Sequence, residues 1–394
     1  MLKNLPVQLL ISIVLAYFLG NYFDLNMVRG FYALSCLLKS ILMFILPLVI
    51  FSCIATAIVS MEHRGPILII AVISLICVSN IAAVTTAYLT GQAFLPWLTH
   101  GKLISANLND VTITPLFEIN LPQLLSPGKA MVTGMITGLI LSMVDLPVVK
   151  TLVMKMRDGV THGLKKGFIP FLPLYVFGFV LKMQYEGNLV QLFENYGQIL
   201  LLIVGLVMTY VTFLYGIGTQ FRPKAMWAAI RTMMPAGITG FSTMSSAATM
   251  PVTLTATEKN VKDAQFTHFV IPTTVNIHLL ADALGIPLLG LAILVLSGQA
   301  LPDVTNYMIF AAYFCLAKFS TAAIPGGGVL VLLPTIQEHL GLTTEMTSLV
   351  ATLYILQDCF FTSFNVMANG AFAMICHRLL KALKVVRPEV APSS

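Results

Sequence analysis

The sequence contains little charge. Aspartate, glutamate, lysine and arginine make up 10% of its 394 residues, whereas hydrophobic residues make up 57%. Typical globular proteins are about one quarter charged, so this composition excludes a soluble domain. Successive apolar runs are long enough to cross a bilayer, which needs roughly 20 residues per helix. The chain is therefore expected to be a multi-pass membrane protein in contact with lipid.

Cysteine is also scarce, and no constellation for a cofactor stands out. Six cysteines stand singly in apolar stretches, and no pair has metal-ligand spacing. Buried free thiols are the expectation, without a metal or cofactor. A cleavage site of small residues is missing after the first apolar run, which begins at Leu5. That run is expected to be a retained membrane helix.

Two stretches interrupt the apolar sequence in the same way. Residues 241–257 contain five clustered Ser and Thr residues before Pro251, a residue that cannot continue a helix. Residues 319–334 contain Ser320, Thr321, Pro325 and three consecutive glycines. Unwound backbone at membrane depth needs protein or a water-filled cavity to satisfy it, so each stretch predicts the polar tip of a re-entrant helical hairpin. The alternative is a pair of kinked transmembrane helices, because Gly and Pro are common in such helices.

We predict eight membrane-spanning segments and two hairpins. The segments are 5–22, 31–60, 66–96, 121–147, 167–188, 196–221, 264–297 and 345–380, and the hairpins are 225–256 and 304–341. The connections between them alternate in charge, so the net charge of +6 follows membrane sidedness rather than a nucleic-acid site. The positive-inside rule places both termini and the base of the first hairpin in the cytoplasm. The base of the second hairpin then lies outside, as an inverted repeat requires.

Several motifs together resemble one transporter family, the dicarboxylate/amino acid:cation symporters, which include the glutamate transporters. Residues 245–253 resemble the family's serine-rich first hairpin tip, and residues 322–328 resemble its second tip. Asp358, Thr362 and Asn365 keep the D-x-x-x-T-x-x-N pattern of its last helix, and residues 37–54 resemble its second helix.

The resemblance implies the all-α, elevator-type glutamate-transporter fold and a homotrimer in the inner membrane of a bacterium. Residues 1–65 would be scaffold helices, residues 66–98 a transport-domain helix, residues 99–195 further scaffold with an external loop, and residues 196–394 the rest of the transport domain. It also implies a secondary transporter and not an enzyme, in agreement with the lack of a nucleophile or metal constellation.

Asp358 is the leading candidate for binding substrate. Ionisable groups inside a membrane are costly, so a functional role is the default hypothesis for each. In the family the matching aspartate binds the α-amino group of the substrate, and residues matching Thr362 and Asn365 line the pocket. The alternative is a structural ion pair between Asp358 and Lys318. The full set of candidate substrate residues is Ser245, Ser246, Thr249, Ile324, Pro325, Gly326, Asp358, Phe361, Thr362 and Asn365.

Departures from the family pattern narrow the range of expected substrates. Members that take acidic amino acids use an arginine three residues after the aspartate or at the first tip, where this chain has Phe361 and Met244. Burying a substrate carboxylate against Phe361 would cost several kcal/mol, since no arginine guanidinium could pair with it there. A neutral amino acid, small or apolar, is therefore expected. Its α-carboxylate would bind backbone N–H groups and hydroxyls at the two tips.

The sodium ligands of the family are also altered. In one register the asparagine and aspartate of its seventh helix become His278 and Leu280, and in a second register they become Asn276 and His278. A second aspartate, on the last helix, is Asn369 here. Hard cations prefer several oxygen ligands with negative charge, and two carboxylates are missing. Weakened or absent sodium coupling is therefore expected.

His278, Asp282 and Lys318 are the remaining candidates for coupling. His278 and Asp282 stand one helical turn apart and are expected to face each other, where a His–carboxylate pair can carry a proton. The alternative is a packed histidine that Asp282 holds. Lys318 aligns with a serine whose carbonyl helps bind sodium in the family, so we hypothesise that its ammonium is a tethered cation. The alternative is a lysine that snorkels to the external interface.

The sequence thus predicts a secondary transporter for a neutral amino acid, coupled to protons or working by exchange. One alternative is a dicarboxylate or acidic amino acid:sodium/proton symporter. An alternative from another class is an ion-conducting channel, which would show steady conductance in place of saturable uptake. Expected partners are an amino acid, lipid and other copies of the chain, with protons or sodium as coupling ions and no nucleic acid.

Overall fold

A computed structural model describes residues 5–59, 66–98, 113–119, 121–122, 125, 127–144, 146–186, 189–275, 277–321 and 327–383. Every regular element in these ranges is helical. The α-helices are α1 (Leu5–Leu19), α2 (Leu25–Val59), α3 (Pro66–Leu98), α4 (Pro127–Met143), α5 (Pro147–Gly163), α6 (Leu172–Tyr185), α7 (Leu189–Gly218), α8 (Pro223–Thr243), α9 (Ser246–Val261), α10 (Ala264–Thr274), α11 (Leu280–Leu296), α12 (Val304–Ala317), α13 (Gly327–Leu340) and α14 (Thr344–Ala382).

Short polar residues set the starts of four helices. Ser245, Asp263, Asp303 and Thr343 precede α9, α10, α12 and α14, and the side-chain oxygen of each accepts a hydrogen bond from the backbone N–H three residues later. Such caps satisfy one of the free donors that every helix start leaves. Helices α5, α6 and α8 instead carry proline in the first turn, where its missing N–H does no harm.

Four helices of the described ranges are long and apolar enough to cross a membrane: Leu25–Thr56, Ile70–Leu98, Tyr196–Gly218 and Thr344–Ala382. Pro147–Phe168 and Leu172–Tyr185 form a fifth candidate if the pair, bent by 54°, counts as one span. The other predicted spans fall short because their helices are brief, such as the 15 residues of α1, or broken. The predicted total of eight spans stays a prediction.

The first predicted hairpin is present as α8 and α9, which pack against each other. The backbone reverses at Met244, which adopts a left-handed conformation with φ of 50°, and Ser245 then caps α9. Only these two residues are unwound. The expectation that Pro251 ends a helix is wrong, because α9 starts before it and continues through it to Val261. Proline has no backbone N–H, so α9 lacks one hydrogen-bond donor at this position.

The second predicted hairpin is present as α12 and α13, which also pack together. After α12 the chain tightens into a 3-10 turn at Lys318–Ser320. The tip residues Ile324, Pro325 and Gly326 lie outside the described residues, so the prediction that they bind substrate stays a prediction.

The segment predicted as one helix over 264–297 is two helices. Helix α10 ends at Thr274 and α11 begins at Leu280, so the prediction of a continuous helix is wrong. Pro272 lies inside α10 and removes a backbone donor just before the break. Helix α11 is the centre of the protein, since all of its residues except Val295 are buried. The break places the carbonyl groups of Ile277 and Leu279 inside the protein, where other side chains must satisfy them.

The helices pack in two groups. Helix α2 lies against α4, α5 and α6, and α1 lies against α6. Helices α3 and α7 to α14 pack around α11 and α14. Glycines allow the close approach of α8 and α14, since a Cβ at Gly240 would lie 3.2 Å from the carbonyl oxygen of Thr362 and one at Gly370 would lie 2.7 Å from Met233.

Two lysines join the groups at the start of α14. Lys39 of α2 is 9% exposed and donates hydrogen bonds to the Thr344 carbonyl at 3.1 Å and to the Ser348 hydroxyl at 3.3 Å. Lys182 of α6 forms a 2.6 Å ion pair with Glu345. A buried lysine is stable only when its charge is paired or hydrogen-bonded, so both lysines tie the groups together in this arrangement.

Candidate functional site

Asp358 lies midway along α14 and is 4% exposed. Thr362 Oγ1 donates to its Oδ1 over 3.3 Å, and the Tyr354 hydroxyl lies 3.4 Å from the same oxygen. Because α14 is continuous, these residues and Asn365 lie along one face of it. The face predicted from the spacing of Asp358, Thr362 and Asn365 is therefore present, with Tyr354 as an added member.

Asp282 is a second buried carboxylate at this face. It lies in the first turn of α11, and its Oδ1 accepts hydrogen bonds from Asn365 Nδ2 at 3.1 Å and from the Tyr354 hydroxyl at 3.2 Å. Asn365 Oδ1 in turn accepts from the backbone N–H of Ala281 at 2.7 Å. A carboxylate is stabilised near a helix N-terminus. Asn365 thus holds Asp282 against the start of α11.

Tyr354 connects the two carboxylates, and the sequence reasoning missed it. Its hydroxyl lies within hydrogen-bond distance of both Asp282 Oδ1 and Asp358 Oδ1, but a single O–H can be donated to only one of them at a time. The signal that could have found it is its position four residues before Asp358, one turn away on the same face.

Phe361 and Gly328 shape the walls around the carboxylates. Phe361 is buried against Gly285 of α11, where a Cβ would overlap the phenyl ring, and its ring centroid is 5.3 Å from that of Tyr354. Gly328, in the first turn of α13, lies beside Asp282: a Cβ there would be 3.2 Å from Asp282 Oδ2 and from the Tyr354 hydroxyl. The second hairpin therefore reaches Asp282 and Tyr354 through a residue without a side chain.

The hydroxyls of the first tip make their hydrogen bonds within the hairpin. Ser245 Oγ accepts from the Ala248 N–H at 3.3 Å, and Thr249 Oγ1 donates to the Ser245 carbonyl at 2.9 Å. Thr249 and Ser246 are buried, at 0% and 6% exposure. These bonds hold the reversal of the chain at Met244. The predicted contact of Ser245, Ser246 and Thr249 with substrate stays a prediction.

His278 and Asp282 are not paired, and the expectation that they face each other is wrong. The helical spacing fails because His278 lies in the break before α11. Its Nδ1 lies 2.8 Å from Asn369 Oδ1, its Nε2 lies 2.9 Å from Ser79 Oγ, and its ring stacks on Phe372. An amide oxygen only accepts, so Nδ1 carries a hydrogen and the Ser79 hydroxyl can donate to Nε2.

The neighbouring polar groups of α3 were also missed by sequence reasoning. Asn80 Nδ2 donates to the Ile277 carbonyl at 3.2 Å, which satisfies one of the backbone groups that the helix break exposes. Asn80 Oδ1 and Asn369 Nδ2 are buried and have no hydrogen-bond partner in the described part of the chain. Asn276, the other candidate from the alternative register, lies outside the described residues.

Lys318 is fully buried in the 3-10 turn that follows α12. Its ammonium donates a hydrogen bond to the Leu279 carbonyl, the second backbone group of the helix break. Asp282 is near enough for its charge to attract the lysine, although no direct ion pair joins these two described side chains. The alternative that Lys318 snorkels to the external interface is wrong, since the side chain points into the protein.

Comparison with known proteins decides the family. The sequence profile of the sodium:dicarboxylate symporter family matches residues 5–379, which is nearly the whole chain. The chain belongs to this family. The resemblance predicted from the two tips and the last helix is thereby confirmed.

Two relatives illustrate the range of the family. Over 184 residues the chain is 31% identical to the excitatory amino acid transporter 2 of Homo sapiens, a stretch that covers 46% of the chain and 31% of that protein. Over 342 residues it is 22% identical to the serine/threonine transporter SstT of Acinetobacter baumannii (strain AYE), which covers 83% of the chain and 84% of that protein. The chain thus matches less than one third of the human transporter's length.

Membership in this family agrees with the apolar helices, which are typical of a multi-pass membrane protein. Three of the positions that match the family's sodium ligands lie among the described residues. Leu280 is a buried leucine, and His278 and Asn369 are hydrogen-bonded to each other. Within the described ranges, no group of three or more His, Cys, Asp or Glu side chains is arranged to hold a metal ion.

Proposed function

We propose that this symporter-family protein moves a small neutral amino acid across the bacterial inner membrane by an elevator mechanism, without sodium coupling. It is a homotrimer with both termini in the cytoplasm. Residues 1–65 and 99–195 form the scaffold, and residues 66–98 and 196–394 form the mobile transport domain. The two packing groups of helices support this division. On this basis Lys39 and Lys182 join scaffold to transport domain, and their bonds break when the domain moves.

The observation that carries the proposal is the pair of buried carboxylates, Asp282 and Asp358, around the Tyr354 hydroxyl. Two carboxylates in a membrane interior need cations or hydrogen-bond donors. Lys318 supplies one cation from within the chain. Asp358 accepts hydrogen bonds from the ammonium group of the amino acid, beside Thr362. The names of both relatives describe them as transporters of amino acids, which supports this substrate class.

Acidic substrates do not suit this site. No arginine occurs in the sequence between Arg231 and Arg378, a stretch that includes both hairpin tips and the face of α14. Lys318 is the only lysine between Lys262 and Lys381, and it is already bonded to the Leu279 carbonyl. A second carboxylate on the substrate would lie beside Asp282 and Phe361, with no cation to pair with it. The dicarboxylate alternative is therefore disfavoured.

The coupling residues support exchange or proton coupling. Lys318 places a tethered cation at the helix break, so the second hairpin needs no free cation to close. His278 lies among Ser79, Asn369 and Phe372, and no carboxylate in the described ranges is hydrogen-bonded to it. Its Nε2 can accept a proton while the Ser79 hydroxyl turns from donor to acceptor, so the same heavy-atom positions serve both charge states.

A thermal-shift screen tests this function. Purified protein is heated with amino acids or dicarboxylates, each with and without sodium. A ligand that binds only the folded state stabilises it by about 2.7 kcal/mol at a hundredfold excess over Kd. We expect a rise in apparent Tm with small neutral amino acids in sodium-free buffer. A rise only with dicarboxylates, or only with sodium, would refute the proposal.

A further inference from the structure

We propose that α5 binds anionic phospholipid at the membrane surface, with its exposed apolar side chains in the acyl region and its exposed lysines at the lipid phosphates. Helix α5 connects α4 to α6 and contributes no residue to the candidate substrate site. The segments Pro147–Phe168 and Leu172–Tyr185 are bent by 54° relative to each other, so α5 does not continue the direction of α6 across the bilayer. A helix inclined to the neighbouring span is suited to the boundary between lipid and water.

One side of α5 is fixed against the rest of the protein. Val153 is 6% exposed and lies in a buried cluster with Ala55 and Val59 of α2 and with Leu141 of α4. Successive residues of a helix are rotated by about 100°, so residues five before and two after Val153 point to the opposite side. The contact of Val153 therefore decides which side chains of α5 face away from the protein.

The side that faces away carries an exposed stripe of Val148, Leu152 and Lys155. These residues are spaced by four and by three positions, so they lie on one side of the helix. Val148 is 79% exposed, Leu152 is 65% exposed, and Lys155 is exposed as well. The stripe thus begins with two apolar side chains and continues with a cation. Neighbouring apolar and basic residues on an exposed helix face are typical of binding to anionic lipid.

The charge of α5 and of the turns after it is strongly positive. Residues 147–171 contain five basic residues and one acidic residue, Asp158. Arg157 Nη2 lies 2.5 Å from Asp158 Oδ1, so the carboxylate of this segment is already paired with its neighbour. Lys155, and Lys166 in the π-helical turn after α5, are exposed and form no ion pair with any residue that the structure describes. Charge complementarity therefore favours an anion from outside the chain.

An anionic phospholipid satisfies both parts of the stripe at once. Its acyl chains cover Val148 and Leu152, while the flexible stem of Lys155 brings its ammonium to the phosphate. A soluble anion would leave the two apolar side chains in water. Contact with the same segment of a second copy of the chain would bring lysines together, and like charges at an interface are unfavourable. Lipid is therefore the occupant that the stripe fits best.

The test measures which lipids lie beside α5 by tryptophan quenching. Leu152→Trp is made in the full-length chain together with Trp97→Phe and Trp227→Phe, two changes at side chains that are 74% and 64% exposed. The protein is placed in phosphatidylcholine vesicles that contain brominated phosphatidylglycerol or brominated phosphatidylcholine. We expect the anionic lipid to bind beside the new tryptophan roughly fivefold more tightly than the zwitterionic one, the preference that one lysine gives at a charged membrane surface. Salt at 1 M should reduce this ratio.

Variants of the lysines show whether the charges of α5 cause the preference. The double change Lys155→Gln and Lys166→Gln should bring the ratio measured at Leu152→Trp close to one. The matched control is Lys224→Gln with Lys381→Gln, which removes two exposed lysines at the start of α8 and the end of α14 and should leave the ratio unchanged.

The outcomes do not depend on which solute the protein transports. A ratio near one with all lysines present would overturn the proposal, and this measurement decides the matter even if the double lysine variant does not fold. A ratio that survives the loss of Lys155 and Lys166 would also overturn it. Weak quenching by both brominated lipids would show that another part of the protein or a second copy of the chain covers α5, which contradicts the proposal as well.

Discussion

Asp358→Asn is expected to abolish amino-acid binding, with affinity reduced about a hundredfold or more. The substitution keeps the size of the side chain, and Thr362 can still donate to the amide oxygen. It removes the anion that pairs with the substrate ammonium, and charge-assisted hydrogen bonds are the strong ones. Because the site is buried, the ammonium would be left without an equivalent partner. Equilibrium binding of a labelled neutral amino acid to purified protein measures the loss.

The control for this experiment is to show that the variant protein is folded and assembled like the wild type. Size-exclusion elution and the melting curve without ligand should match those of the wild type, because Asp358 is replaced by an isostere. Asp263→Asn, the same substitution at the N-cap of α10, serves as the control variant. Retained affinity for the amino acid would show that Asp358 does not bind the ammonium. Tight binding of a dicarboxylate without an amino group would also contradict its role.

Lys318→Met is expected to weaken substrate binding at least tenfold, whereas the wild type binds equally well with and without sodium. Methionine has a similar length and no charge. The change leaves the Leu279 carbonyl without its donor and Asp282 without its nearby cation. An unsatisfied buried carbonyl alone costs about 1–3 kcal/mol, and the unbalanced carboxylate adds to it. Lys318→Ser should also impair binding, because the ammonium is lost in the same way.

Lys39→Met is the matched control for the lysine experiment. Lys39 is likewise a buried lysine that donates to a backbone carbonyl, but it lies in α2 and contacts the start of α14 rather than Asp282. We expect its loss to change substrate affinity little. The tethered-cation hypothesis is wrong if wild-type binding requires sodium or if Lys318→Met binds substrate normally.

The main helices and the two hairpins could be predicted from local chemistry. Clusters of Ser, Thr, Pro and Gly in apolar sequence predicted the two hairpins, and a helix ends within the first cluster at Thr243 and just before the second at Ala317. Helical spacing was enough to place Asp358, Thr362 and Asn365 on one face. These features depend on residues that are close together in the sequence, so they can be predicted from a single sequence.

The rest depended on contacts between distant parts of the chain. Residues 271–280 mix apolar residues with Thr, Asn and His, as many polar faces of membrane helices do, and Pro272 alone does not indicate a break of five residues. That break moves His278 away from Asp282, which is why the predicted pair was wrong. It is stable because Asn80 of α3 and Lys318 satisfy its carbonyl groups, and neither partner is near it in sequence. Tyr354 was missed although its spacing from Asp358 was visible.

Counterflow in sodium-free proteoliposomes tests the central claim most directly. Vesicles with purified protein are loaded with unlabelled L-serine, and labelled L-serine is added outside. The account predicts saturable uptake that internal serine accelerates, with no steady ionic conductance and no inhibition by excess glutamate. Uptake that appears only with sodium, uptake of glutamate in place of serine, or a steady current without saturable uptake would contradict it.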